Sequence, residues 1–266
     1  MKENNYGIQT ENTGAQEIKE SMSVGEALTG VITNPSDTFE TISISPKKNY
    51  WFAPLVFLII ANLIYTFLMF RDEDLKNEFI NKQKPAVEKQ IDKQIAEGKM
   101  TADKKDEAME MSAKITMIFT WVGSIIGPFI FIFLLGFLYW LVLKIMKADK
   151  KMKIETGFFS KILNVVGLSF IIMAVSKIAE IIISIFVGKI STLSLALLIS
   201  ESQVGSKFHM LISNAGAFTI WGLIVTAIGI AKISGQKQFV GYAIVIGFWI
   251  LFMVISYIGL SFSMQN

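Results

Sequence analysis

Cysteine is absent from the 266-residue sequence, and histidine occurs once, as His209. A chain without cysteine has no disulfide framework, no thiolate metal site and no cysteine nucleophile. A single imidazole excludes every site that needs two. The sequence also lacks the HExxH, GxSxG and glycine-rich phosphate-loop motifs that mark common metallopeptidases, hydrolases and nucleotide-binding proteins. We therefore expect no catalytic set, no metal and no cofactor.

Charged residues are scarce: they make up 18% of the chain, against 52% hydrophobic residues, and the mean hydropathy is +0.51. A soluble domain is typically about one quarter charged. Four stretches carry no Asp, Glu, Lys or Arg: Asn49–Phe70, Ile115–Leu143, Ser213–Ala231 and Gln238–Asn266. A fifth, Ile162–Val187, carries only Lys177 and Glu180. As a helix, each can cross a hydrocarbon core, which takes roughly 20 residues.

These stretches predict an all-α polytopic membrane bundle with five transmembrane helices, at about residues 50–70, 115–143, 162–187, 213–231 and 239–264. Residues 23–266 form one membrane domain in this interpretation, and residues 1–22 form a polar, disordered tail. The apolar centre of residues 190–200 is too short to cross. It is predicted to be an interfacial or re-entrant helix, and a sixth span there is the main alternative topology.

Two short amphipathic helices are predicted before the first span. Val24, Ala27, Leu28, Val31 and Ile32 recur at the spacing of one helix face. Ser23 is a suitable N-cap for this helix. Asn34 can cap a second helix that has Pro35 at its first position and Phe39 on its apolar face. Both helices are too short to span, so we expect them to lie on the membrane interface.

The segment between the first two spans, residues 71–114, has a different character. It holds ten Lys or Arg and eleven Asp or Glu residues. Helix-forming residues dominate it, with interruptions expected at Pro85 and Gly98, and Thr101 is placed to cap a new helix. The pattern predicts a charged helical hairpin outside the membrane. Its simplest interpretation is a solvated connector without a ligand.

Basic residues set the predicted orientation. The short connections at residues 144–161 and 232–237 are rich in lysine, and Lys47 and Lys48 precede the first span. Such loops are cytoplasmic by the positive-inside rule. The chain is thus expected in a cytoplasmic or inner membrane, with its N-terminus in the cytoplasm and its C-terminus outside. The lysine cluster at residues 144–153 is short and lacks arginine and aromatics, so no nucleic acid is expected as a partner.

Lys177 and Glu180 are the ionisable residues within a span. Placing such a residue there costs about 2.5–3.5 kcal/mol on insertion scales, which makes it a functional candidate by default. Three positions apart on a helix, the two side chains can pair. One interpretation is a substrate or proton site, as in a small-solute transporter or channel component. The other is a satisfied structural ion pair in which Lys177 extends toward the interface.

Small residues mark the faces on which the helices are expected to pack. Gly123 and Gly127 form a small-xxx-small pair in the second span, and Pro128 should bend that helix. Gly216, Gly222 and Gly229 leave room for close packing of the fourth span. Such faces serve either contacts within the bundle or a homo-oligomer.

Two segments resemble a known family. Residues 28–42, LTGVITNPSDTFETI, are similar to the entry of bacterial Yip1-domain proteins, where an NP-x-x-T/A-F-x-x-I stretch precedes a first span with Pro-Leu. Asn34, Pro35 and Phe39 carry that pattern here, and Pro54 carries the proline of the first span. Residues 221–230, WGLIVTAIGI, resemble the fourth span of the family. The resemblance covers about residues 25–264.

The resemblance implies a five-helix membrane domain with the N-terminus in the cytoplasm. Eukaryotic relatives assist vesicle trafficking and contact small Rab GTPases. The charged segment at residues 71–114 departs from the compact eukaryotic pattern, which argues against a Rab-like partner. We therefore expect a non-enzymatic integral membrane protein in membrane organisation or trafficking. It would act through helix packing and through contacts with the lipid bilayer or with an unidentified membrane or cytoplasmic protein.

Overall fold

The computed structural model describes residues 21–45, 48–148, 157–195 and 212–265. Its helices are α1 (Val24–Thr33), α2 (Pro35–Ile44), α3 (Phe52–Arg71), α4 (Glu73–Ala96), α5 (Lys105–Ile145), α6 (Phe158–Val187), α7 (Ala217–Ser234) and α8 (Gln238–Gln265). A 3₁₀ turn, Ala102–Lys104, leads into α5. Most of the predicted polar tail and His209 lie outside the described residues.

In the part of the chain that the structure describes, five helices are long and apolar enough to cross a membrane: α3, the 3₁₀ turn with α5, α6, α7 and the first 21 residues of α8. A helix satisfies its backbone hydrogen bonds internally, which the hydrocarbon core requires. Large apolar side chains cover their outer surfaces, as at Phe119, Phe137 and Phe252. The prediction of an all-α, five-span membrane protein is confirmed.

Helix α6 forms the centre of the bundle and packs against α3, α5 and α7. It contributes sixteen buried residues, among them Ile162, Val165 and Leu168. Helix α8 lies at the periphery and packs mainly on α7. The bundle therefore has one shared core around α6, while α5 and α8 present much of their surface to the outside.

Helices α1 and α2 pack over one end of α6 and α7, which we call the α1–α2 end of the bundle. Ser23 and Glu26 form a reciprocal capping box, and Asn34 caps α2 with Pro35 in its first turn, as predicted. Val31 and Phe39 are fully buried. Each such side chain contributes about 1.5–3 kcal/mol through burial. The apolar faces of both helices are thus partly covered by the bundle itself.

The charged segment forms α4, which packs along the first turns of α5 at the opposite end of the bundle, here called the α4 end. Lys105 of α5 lies 3.0 Å from Glu88 and 2.7 Å from Asp92 of α4. The expected interruption at Pro85 is wrong, because α4 continues through it. A proline removes one backbone donor and costs about 3 kcal/mol inside a helix, and the 24 residues of α4 and its contacts with α5 tolerate that cost.

Other sequence expectations fail at the two loops of the α4 end. Thr101 makes no side-chain capping bond, and α5 begins only at Lys105. Residues 190–194 are not helical, against the predicted interfacial or re-entrant helix. The backbone of this segment bonds to side chains instead: the Glu78 carboxylate accepts from the N–H of Ile190, and the Ser184 hydroxyl accepts from the N–H of Ser191. The rest of that predicted helix lies outside the described residues.

Candidate functional site

Lys177 and Glu180 form the predicted ion pair on α6. The Lys177 Nζ lies 2.8 Å from Glu180 Oε2, and the Ser176 hydroxyl donates to Glu180 Oε1 at 3.2 Å. The Glu180 side chain is 12% exposed and that of Lys177 is 36% exposed. The carboxylate is therefore held inside the bundle by two donors, while the ammonium group faces outward into free space.

That free space is an open groove of about 520 Å³ between α3, α4, α5 and α6. Its polar members are Asn62, Tyr65, Thr66, Gln83, Thr120 and Ser124. Lys82 and Lys177 add two ammonium groups, and apolar side chains such as Met69 and Phe79 complete the lining. We call this feature the polar groove.

The polar groove reaches deep along the spanning helices. Asn62 is the eleventh of the 20 residues of α3. At 1.5 Å per residue, α3 is about 30 Å long, so Asn62 lies close to its middle. Lys82 and Gln83 belong to α4, which is not among the spanning helices. The groove therefore leads from the α4 end toward the middle level of the bundle.

Some polar groups of the groove bond to one another. Ser124 Oγ donates to the backbone carbonyl of Thr120 at 2.8 Å and lies 2.8 Å from Thr66 Oγ1. Because the Ser124 proton is used on the carbonyl, Thr66 is the donor in the hydroxyl pair. This bond joins α3 to α5. Lys177 Nζ lies 5.2 Å from the centre of the Tyr65 ring, within the range of a cation–π contact.

Other polar groups of the groove are unused. Within the described ranges, the amides of Asn62 and Gln83 and the hydroxyl of Tyr65 have no hydrogen-bond partner. All three residues are partly exposed, so their polar groups are open to the groove. Polar groups at membrane depth cost free energy unless they find partners. These three groups are therefore the part of the groove that a ligand can use.

The α1–α2 end shows the opposite arrangement. The Asn164 side chain of α6 accepts from the backbone N–H groups of Tyr50 at 2.8 Å and Trp51 at 3.1 Å, and donates to the Lys48 carbonyl at 2.7 Å. Lys161 Nζ donates at 2.5 Å to the carbonyl of Ser43, in the last turn of α2. A cation is favourable at a helix C-terminus. These groups hold the entry to α3 and the end of α2 in place.

The two segments that carry the family resemblance meet in the structure. A Cβ added to Gly229 on α7 would lie 2.9 Å from the ring of Phe39 on α2. Asn34 and Pro35 begin α2, and Pro54 is buried in the first turn of α3. In this chain the motif residues therefore have clear structural roles, which account for their identities without a ligand.

The remaining packing glycines divide into two groups. A Cβ on Gly123, Gly127 or Gly222 would meet nothing within 4 Å, whereas one on Gly216 would strike the carbonyl of Leu193. Among the described residues, the first three glycines thus mediate no close helix approach, and their use in packing against another chain stays a prediction. Helix α5 continues to its end through Pro128.

The sequence analysis did not single out Gly167, at which α6 closely approaches the start of α3, or the amides of Asn62 and Asn164. A Cβ on Gly167 of α6 would lie 2.5 Å from the Cα of Trp51. Asn62 and Asn164 are uncharged, so the pattern of charge alone does not reveal them. An uncharged amide inside an apolar stretch is also a polar group that must be satisfied, and this signal was present in the sequence.

Comparison with known families supports the sequence resemblance. A model of the Yip1 domain matches residues 29–262, which is most of the chain. No curated protein and no solved structure matches the chain. Among the described residues, no group of three His, Cys, Asp or Glu residues could hold a metal ion. The chain is a multi-pass integral membrane protein in contact with the lipid bilayer, and it belongs to the Yip1-domain family.

Proposed function

We propose that this Yip1-domain protein is non-enzymatic and acts through reversible contacts with membrane lipids or with a protein partner, in membrane organisation or trafficking. The observation that carries the proposal is the polar groove. Its unused groups, on Asn62, Tyr65 and Gln83, are neutral donors and acceptors that can hold a ligand. They bring no strong nucleophile or base to it.

The chemistry of the groove favours binding over bond breaking. A hydroxyl nucleophile needs a base within hydrogen-bond reach. The Ser124 hydroxyl instead donates to a backbone carbonyl, and Thr66 is bonded to Ser124. The Lys177 ammonium is paired with Glu180. None of these groups is arranged as a nucleophile with its base, which supports a non-enzymatic role.

A small-solute transporter or channel component is the second candidate, favoured by the position of Lys177 in the groove. Transport needs a route to both faces of the membrane. On the line from the groove toward the α1–α2 end, α6 is closely packed around buried Val165 and Leu168. The groove thus supports a one-sided binding site better than a pathway.

The orientation belongs to the same proposal. Lys48, Lys161 and Lys232 lie at the α1–α2 end, and Lys232 pairs with Glu40 of α2 at 2.7 Å. Lysines in short loops beside spans are expected on the cytoplasmic side of an inner membrane, whereas the ten Lys or Arg residues of the α4 end belong to a long segment with eleven acidic residues. Reporter tags on each chain end test this, with the N-terminal tag expected inside and the C-terminal tag outside.

Purification of the full chain from native membranes tests the function. We expect a bound lipid or a specific protein partner in fixed ratio, and no solute flux after reconstitution into proteoliposomes. The Lys177→Met/Glu180→Gln double variant is the matched control, because it removes the ion pair without leaving a lone charge. Flux that is present in the wild-type protein and lost in this variant contradicts the proposal and favours a transporter.

A further inference from the structure

We propose that the polar groove holds the headgroup of a phospholipid, with the phosphate at Lys177 and the acyl chains in the surrounding bilayer. The inference rests on the proposed function, because it names the ligand class of the same groove. The relevant chemistry is that of a phosphate ester. Free phosphate offers the same oxygens, so a test must distinguish binding of a lipid from binding of free phosphate.

The charges in the groove favour an anionic group. Lys177 and Lys82 line the groove, but their partners Glu180 and Glu78 are not among the lining residues. Each ion pair therefore presents its positive end to the groove. An ammonium group has three donors, and the carboxylate of Glu180 uses only one from Lys177. The remaining donors can form charge-assisted bonds to phosphate oxygens.

The unused neutral groups fit the same ligand. Asn62 and Gln83 each offer amide donors and an acceptor, and Tyr65 offers a hydroxyl. Phosphate oxygens accept from all of these groups, while hydroxyls or amines of a headgroup can donate to the amide oxygens. Without a ligand, the Asn62 amide near the middle of α3 would have to find water within the membrane.

The size and lining of the groove favour a lipid over a free ion. A volume of about 520 Å³ lies within the range of small-ligand sites and far exceeds what one phosphate needs. Met69, Phe79 and Ile190 give the groove apolar walls beside its polar groups. It is also open along its length and bounded by helices whose outer surfaces are apolar. A headgroup can thus enter while its acyl chains stay in the hydrocarbon.

Native mass spectrometry of the full chain, purified in mild detergent and titrated with a defined phospholipid, tests the inference. We expect one tightly bound lipid in the wild-type protein. Asn62→Leu and the Lys177→Met/Glu180→Gln double variant should weaken it about tenfold or more, the loss expected for one hydrogen bond to a charged group. The Lys93→Met variant is the matched control, because Lys93 lies on α4 but does not line the groove.

Gln83→Leu gives a second test of the loss of lipid binding. It does not depend on the folding of a spanning helix, because Gln83 lies on α4. Equal lipid binding by all variants would show only the general lipid shell and overturn the inference. Competition by inorganic phosphate, with no retained lipid, would assign the groove to a free ion and overturn it as well. Solute flux instead contradicts the proposed function, so the two failures are distinguishable.

Discussion

The two ends of the bundle use the same kinds of residue in opposite ways. At the α1–α2 end, Asn164 and Lys161 bond to backbone groups of the chain itself. In the polar groove, which leads inward from the α4 end, the amide of Asn62 is unused in the described structure, and Lys177 faces the free space. An asparagine and a lysine on spanning helices thus complete the fold at one end and line a candidate binding site at the other.

The difference lies in what faces each side chain. Asn164 lies beside the start of α3, where backbone N–H groups have no partner within the helix, and Trp51 provides no side-chain cap there. The amide of Asn164 supplies the missing acceptor. Asn62 lies in the middle of α3, where neighbouring backbone groups are already bonded. Of these two asparagines, the one that faces a helix end therefore stabilises the fold, and the one that faces the side of a helix keeps its amide available to a ligand.

The largest effect is expected from Asn164→Leu. It leaves one buried N–H group, one partly buried N–H group and one carbonyl without their partner, each at a cost of about 1–3 kcal/mol. We expect the free energy of unfolding to fall by about 3 kcal/mol or more. Asn62→Leu, the matched change at the other end, should leave stability unchanged or raise it. Thermal unfolding of both variants in detergent measures this, and equal losses would remove the distinction between the ends.

A second contrast uses glycine. Gly167→Ala places a Cβ 2.5 Å from the Cα of Trp51, and backbone cannot move aside cheaply. We expect a loss of about 1–3 kcal/mol from overpacking. Gly123→Ala at the groove meets nothing within 4 Å, so it should gain up to about 1 kcal/mol from helix propensity. The same unfolding assay reports both values, and a stable Gly167→Ala variant would show that α3 and α6 are less closely packed.

The Lys177–Glu180 ion pair should contribute less to the free energy of unfolding than its place in a span suggests. Lys177 is 36% exposed, whereas Glu180 is largely covered. A double-mutant cycle of Lys177→Met and Glu180→Gln should give a coupling energy of about 1 kcal/mol, which is near the upper end of the range measured for exposed ion pairs. A value of 3 kcal/mol or more, about that of breaking a fully buried pair, would show that the groove is closed around Lys177.

The smallest effect concerns the capping box at the start of α1. The hydrogen bond from the Ser23 backbone N–H to the carboxylate lowers the pKa of Glu26. A lowered pKa in the folded state stabilises the fold above the ordinary glutamate pKa, and this contribution disappears as the pH falls through the lowered value. We expect a small loss of helix protection in acid, measured by hydrogen exchange of α1. Glu26→Gln should abolish this pH dependence of hydrogen exchange in α1. If the variant keeps the pH dependence of the wild-type protein, the capping box is not its source.

The spans and caps could be predicted because their signals are local. A helix in hydrocarbon needs an apolar run. The Asn34 side chain caps α2 by accepting from the N–H of Asp37, three residues away. Lys177 pairs with Glu180 within one turn of α6. The Asn62 amide is visible in the sequence, but the polar groove as a whole is not, because Asn62 and Ser124 come together only when α3 packs on α5. The glycines show the same: the motif at Gly123 is visible in the sequence, but the facing residue decides where a glycine is needed, as at Gly167, where a Cβ would meet the backbone of Trp51.

Single cysteines give the most direct test of the contrast between groove and lipid-facing surface, because the chain has none of its own. Gly123→Cys lines the groove, and Gly247→Cys lies on α8; both positions have open space for a side chain. A maleimide reacts with the thiolate, which needs a polar environment. In mild detergent without added lipid, Gly123→Cys should react with a water-soluble maleimide and be protected by added phospholipid, while Gly247→Cys stays unlabelled. Equal labelling of the two positions, or none at Gly123→Cys, would contradict the existence of a polar groove.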